Sequence, residues 1–251
     1  MPDISSSFQL NPTKDHYQKG EIAFRLNSYD EYAIEEAVSI KERVNDAEIT
    51  ALSVGDGKAE LAVRRGLEFG AQRGVHIFME EKNIFTPSAS LSAFHIAQFA
   101  RKEKFDLLFF GVMSEDLQRS QVGQMTAWML NLPCTTSVVK LDLSDDMKKI
   151  TVQRELEGGR REIVEMPLPA VITVQSGINR PRYPSLSNKL RAKKQELEII
   201  KVSKDENTLI SEEFVGLVEP PEEQTGIFIE GSIPEQVDKV IEIIHEKTRL
   251  I

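Results

Sequence analysis

A single cysteine, Cys134, in 251 residues rules out an internal disulfide and any metal site built from several thiolates, and it fits a reducing compartment. Placed just after a strand-opening Pro133, it reads as a small buried apolar side chain. Basic residues are outnumbered by acidic ones, 31 to 40, so a chain of net charge −9 is not expected to bind nucleic acid generally. No apolar run approaches the roughly 20 residues that cross a bilayer. The opening MPDISSSFQL has neither the basic nor the apolar region of a secretory signal, so a cytoplasmic location is expected. Catalytic groupings are missing too: there is no Ser/His/Asp set, no metal-ligand spacing, no GxxxxGK[ST] phosphate loop and no GxGxxG turn. The chain is not expected to be an enzyme in its own right.

What is present is a β-α alternation. Asp30 can cap a helix running to about Arg43, because Ala33, Ile34, Ala37 and Val38 recur at helical spacing and Glu35 and Glu36 follow in the early turns. EITALSV (48–54) reads as a strand, residues 58–69 as a helix stopped by Gly70, VHIF (75–78) as a strand and 87–102 as an amphipathic helix. DLLFFG (106–111) is a continuous apolar run of the kind that parallel sheets bury on both faces. The pattern predicts an α/β fold, a doubly wound and mostly parallel sheet of Rossmann-like, adenine-nucleotide-binding type. In such sheets ligands lie beyond the carboxyl ends of strands, where helix N-termini offer unpaired N–H groups. The loop from Gly111 to about Met125, leading into a helix at Gln121, is therefore the candidate ligand site.

From Thr135 onward strands dominate. TSVVKL, KITVQREL and REIVEM surround a turn at Glu157-Gly158-Gly159-Arg160, and AVITVQ follows, which predicts an antiparallel hairpin added to the parallel sheet. Residues 180–194 carry six Lys or Arg and no acid, within a proline-kinked loop and a short helix (187–194). Residues 197–233 read as an aperiodic arm, and a last helix is expected from about Pro234 to Lys247. Three segments are thus expected: a nucleotide-binding domain (1–179), a loop and basic helix (180–196), and a C-terminal arm with its helix (197–251).

Together these segments resemble the β subunit of electron-transfer flavoproteins, over nearly the whole chain. The most specific likeness lies in Val152 to Thr173, at Val152, Arg154, Glu157-Gly158-Gly159, Glu162, Val164, Pro169, Val171-Ile172 and Thr173. DEYAIEEAV (30–38), SVG (53–55), QVGQMTA (121–127), RPRYPSL with NKLRAKK, and PPEEQTGI (220–227) add independent matches in order. The resemblance implies a heterodimer in which an α subunit holds most of a redox-active FAD while this chain binds a structural AMP. It also implies electron flow from acyl-CoA dehydrogenases in fatty acid oxidation to a membrane quinone oxidoreductase, with no nucleic-acid partner and no membrane span in this chain.

By position, the AMP contacts implied are Asn27, Ser28, Tyr29 and Asp30, then Val54, then Gly111, Val112, Met113, Ser114, Glu115, Asp116, Leu117, Gln118, Arg119, Ser120, Gln121 and Val122. Partner docking would fall to a recognition loop centred on Leu186, with Tyr183, Arg191 and Lys193, while Arg182, Lys189 and Lys194 join in steering. The C-terminal arm would pack on the α subunit. One departure concerns the start: the family's apolar first strand, which precedes the Pro2-Asp3 pair, is absent, so a start assigned too late is expected, and a sheet lacking it would expose a central edge. Another is Gln121-Val122-Gly123-Gln124 where electron-bifurcating members carry a proline, which favours AMP over a second FAD. A free-standing adenine-nucleotide sensor of universal-stress type is the alternative from another class.

Overall fold

The computed structural model describes residues 1–3, 5–6, 10–11, 22–44, 46–80, 88–202 and 226–247. Residues 1–216 form one compact unit and 217–251 a second. In the first, helix α1 (Ser28–Arg43) leads to strand β1 (Thr50–Gly55), helix α2 (Ala59–Phe69), strand β2 (Arg73–Met79), helix α3 (Ala89–Glu103), strand β3 (Leu107–Gly111) and helix α4 (Val122–Leu130). Strands β4 (Cys134–Leu143), β5 (Lys149–Glu155), β6 (Arg161–Pro167) and β7 (Ala170–Val174) follow, then helix α5 (Leu186–Lys194) and strand β8 (Glu198–Val202). The β-α alternation and the later run of strands are as expected.

Strands β3, β7, β4, β5 and β6 make a five-stranded sheet in that order. β7 lies between β3 and β4, parallel to both, and all five of its residues are buried. Its near-continuous Ala-Val-Ile-Thr-Val run reflects cover on both faces, by α1 on one side and α4 on the other. β5 and β6 form the expected antiparallel hairpin, turned through Gly158 and Gly159, whose φ values of +72° and +71° lie where a Cβ would be strained. The core of this half is Val138, Leu141, Ile150, Val152 and Ile172, packed beneath Ala33 of α1.

Two findings correct the sequence reading. Residues 198–202, within the stretch expected to be an aperiodic arm (197–233), form β8 and pair in parallel with β2. The strand is short and its Glu-Ile-Ile-Lys-Val sequence has no two-residue alternation, so only its tertiary neighbour gives it away. Cys134 opens β4 on an exposed site instead of a buried one, because the inward position at the start of that strand is taken by the adjacent Thr135.

The parallel sheet is also divided. β1, β2 and β8 form a separate three-stranded sheet, and among the described residues no strand joins β1 to β3. Between these two edges runs a slot of about 1020 Å3, walled by Thr50 to Val54 of β1 and Leu107 to Gly111 of β3, with α1 and α3 residues such as Ala33, Ile34, Ile96 and Phe99 above and below. The exposed central edge expected from the sequence is therefore a pair of edges facing one slot.

In the second unit, helix α6 (Ile233–Lys247) aligns Val237, Val240, Ile241 and Ile244 along one stripe, as their three- and four-residue spacing requires. All four are exposed.

Candidate functional site

Helix α1 begins one turn earlier than its sequence suggests, with Asn27 at the cap position and Asp30 inside the first turn. Neither side chain closes its own helix. Asn27 reaches across to the loop after β3, donating through Nδ2 to the Met113 carbonyl at 2.9 Å and accepting at Oδ1 from the Glu115 N–H at 3.2 Å. Asp30 accepts from the Gly111 N–H at 2.6 Å and from Asn27 Nδ2 at 3.1 Å. Burial pushes the Asp30 carboxyl above the ordinary aspartate range, and the two hydrogen bonds oppose that rise. Gly111 permits the contact: a Cβ there would lie 2.8 Å from Asp30 Oδ1 and 2.8 Å from Tyr29 Cβ.

The slot between β1 and β3 opens at this corner. Of the expected ligand residues, Asn27, Asp30, Val54, Gly111, Val112, Met113, Ser114, Asp116, Leu117, Arg119, Gln121 and Val122 line the cavity, whereas Ser28, Tyr29, Glu115, Gln118 and Ser120 do not. Met1, Leu26 and Ser53 line it without having been expected there, and Gly123 and Gln124, within the expected 111–125 segment, line it as well. The Met1 ammonium donates to the Arg25 carbonyl at 2.9 Å, and burial holds it below its ordinary range despite Asp116, Asp30 and Asp56 nearby. Gln124, in the first turn of α4, keeps Oε1 buried without a hydrogen-bond partner among the described residues, an arrangement that calls for a donor from a ligand. The helical spacing from Gln121 to Gln124 was the available signal for it.

The electrostatics of the cavity are uneven. The first N–H groups of α4 have no acceptor within their own helix, and the helix dipole adds positive potential there. Arg119 also lines this part of the cavity. On the other side Glu115 is taken up by Arg25 at 2.9 Å, and Asp116 and Asp30 leave negative charge near Met1. An anion is favoured at the α4 end, and neutral donors or hydroxyls near the acids.

A second feature lies outside the cavity lining. The segment after β7 carries Tyr183 and Leu186 with 95% and 73% of their surface exposed, on either side of a buried Pro184. Lys193 is exposed as expected. Arg191 is turned inward through Nη2, which donates to the Leu67 carbonyl of α2 at 2.8 Å. Arg182, expected among the steering cations, is bound by Glu35 and Glu42 of α1. Among the described residues there is no cluster of His, Cys, Asp or Glu that would hold a metal ion, and no helix long and apolar enough to cross a membrane.

Comparison with known proteins places these features in context. A family model described as the electron transfer flavoprotein domain matches residues 17–205. Proteins named electron transfer flavoprotein subunit beta are similar over most of the chain. The one from Mus musculus is 34% identical over 229 residues, 91% of this chain and 89% of its own. A mitochondrial form from Arabidopsis thaliana is 33% identical over 95% of this chain and 93% of its own. The Bacillus subtilis protein is 32% identical over 90% of this chain and 88% of its own.

Proposed function

The chain belongs to the electron transfer flavoprotein family, as an electron-transfer subunit similar to its beta subunits, and from that membership we propose that it works as a heterodimeric shuttle. In this reading an α subunit holds most of an FAD, acyl-CoA dehydrogenases deliver electrons, and a membrane quinone oxidoreductase receives them. The flavin supplies the redox chemistry. The residues of this chain bind, orient and dock, and no catalytic group of its own is needed. A cytoplasmic setting is part of the same reading.

The structural nucleotide is AMP, held between the carboxyl ends of β1 and β3. Its phosphate faces the N-terminus of α4, where unpaired N–H groups and the dipole contribute on the order of 1 kcal/mol. Gln124 Oε1 supplies an acceptor inside the cavity that the protein leaves unmatched. Asn27 and Asp30 hold the Gly111 to Glu115 loop in the form that closes over the ligand. The observation that carries the reading is that one compact unit holds both this cavity and the outward Tyr183 and Leu186. An adenine-nucleotide sensor would have no use for such a display. Leu186 is the docking anchor, and a single leucine of this kind contributes roughly 1.5–3 kcal/mol, which suits brief encounters.

The test is to purify the chain with its α subunit, extract the bound nucleotides and separate them by chromatography. One FAD and one AMP per heterodimer is the expected result. Two FAD would move the chain to the electron-bifurcating class, and a stable lone chain that gains nothing from the α subunit would remove the shuttle reading.

A further inference from the structure

We propose that Arg182 is a positioning residue for partner docking: it clamps the loop that bears Tyr183 and Leu186 to helix α1, instead of attracting the partner as a free cation. The inference rests on the reading of Leu186 as the docking anchor.

The clamp has an unusual number of bonds for one surface arginine. Its backbone N–H donates to Glu35 Oε2 at 3.1 Å, while Nε and Nη2 donate to Glu35 Oε1 at 3.0 and 2.8 Å. Nη1 and Nη2 also donate to Glu42 at 2.6 and 3.2 Å. Glu35 and Glu42 lie two turns apart on one face of α1, so the planar guanidinium bridges them as a fork. The Glu35 side chain is only 8% exposed, and a carboxylate so placed requires a fixed counter-charge. Three residues upstream, Asn179 Nδ2 donates to the Tyr32 carbonyl and to Glu36 Oε2, both at 3.0 Å. The loop is thus attached to α1 at two points, and Pro184 is buried just beyond them.

Tyr183 and Leu186 are exposed as a consequence of this anchoring. With Arg182 tied to α1 and Pro184 buried, the chain between and after them turns outward. Ser185 then caps α5 by accepting from the Asn188 N–H at 3.1 Å, which fixes Leu186 as the first helical residue. A docking loop that is already ordered gives up less conformational freedom on contact. Steering is a poor account of Arg182, because one positive charge enclosed by two carboxylates leaves a local sum of −1.

The two roles predict opposite results for Glu42, whose side chain is 58% exposed and tolerant of change. In the heterodimer, reduction of the flavin by an acyl-CoA dehydrogenase is measured for Glu42→Gln, Arg182→Lys and Leu186→Ala, together with amide hydrogen exchange over residues 179–186. Arg182→Lys keeps the charge but loses the fork. The clamp predicts that both Glu42→Gln and Arg182→Lys slow transfer by about threefold or more, through loss of loop order, and speed exchange in the loop. Transfer that is unchanged or faster in Glu42→Gln, with exchange unaltered, overturns the clamp while Leu186→Ala still slows transfer. If Leu186→Ala has no effect, the docking reading itself fails and the inference falls with it.

Discussion

Arg64 and Arg191 cap each other's helices. Arg64, on α2, donates through Nη1 to the Ala192 and Gln195 carbonyls at 2.8 and 3.2 Å, at the C-terminal end of α5. Arg191, on α5, donates through Nη2 to the Leu67 and Ala71 carbonyls at 2.8 and 3.4 Å, at the end of α2. Each guanidinium meets carbonyls at or just past the other helix's C-terminus and lies at the negative end of its dipole. Ala192 is buried against Leu67 and Ala71 where the two helices touch. A nine-residue helix with one buried residue would not persist alone, so this reciprocal contact holds the element that begins with Leu186.

Replacing either arginine by alanine is expected to lower stability by about 1.5–3 kcal/mol, the range for hydrogen bonds from a charged donor. The double variant should lose less than the sum, since both bonds serve one helix contact. Urea unfolding of the four proteins, with the unfolding slope held constant, measures this directly.

Gly111→Ala should be harmful out of proportion to its size. Its methyl would have to displace Asp30 Oδ1 and Tyr29 Cβ, each 2.8 Å away, and the anchored backbone of α1 leaves little room to yield. A loss of about 1–3 kcal/mol in stability is expected from such overpacking. Titration calorimetry with AMP should show weakened binding, because the same movement opens the loop. Normal affinity with normal stability would mean that the loop closes without Asp30.

Asp30 also sets a pH dependence. Its folded carboxyl titrates above the ordinary 3.8, so in the interval between the two values the folded state holds its proton better than the unfolded chain. Stability must then fall as pH rises through that interval. Asp30→Asn retains an acceptor for the Gly111 N–H and removes the ionisation, so the acidic side of the stability curve should flatten. Glu36, pushed up by burial in the same direction, leaves a residual slope. Denaturant unfolding at closely spaced pH values tests the shape of the curve.

The slot between β1 and β3 predicts a response to added chain. Met1 lies where both strands end, near Asp56 just past β1 and near Asp30, which holds Gly111 of β3. Six apolar β-branched residues placed ahead of Met1 can run back between the two edges, pair with both and remove the buried ammonium charge. The thermal midpoint should rise by several degrees, given about 2–4 °C for each 1 kcal/mol in a chain of this size. An extension of six Gly and Ser residues should not raise it, and equal behaviour of the two would show that the slot does not take a strand.

Much of the first unit was legible in the sequence. The Leu-Leu-Phe-Phe run of β3, the all-buried β7 and the Gly158-Gly159 turn each express a local rule: apolar runs where both faces are covered, and glycine where φ is positive. The loop after Gly111 was legible too, because a strand end followed by a helix start is a topological feature. β8 was not, since five residues without a two-residue alternation gain their pairing only from β2. Nor was the true setting of Cys134, which depends on which face of β4 turns inward. Gln124 lay within the expected 111–125 segment and at helical spacing from Gln121, but that its oxygen is buried and unmatched only the fold shows.

The sequence by itself determined the order of elements, the parallel core and the family, because periodicity and turn residues act over a few positions and are written in order. Only the tertiary structure decided the use of its charges. Arg182, Arg191, Arg64 and Asp30 look alike on paper as surface ions. Three of them bond to groups more than 100 residues away, and Asp30 to one 81 residues away. A charge near a sheet end is free or committed according to what folds against it, and that distance in sequence is what no local pattern records.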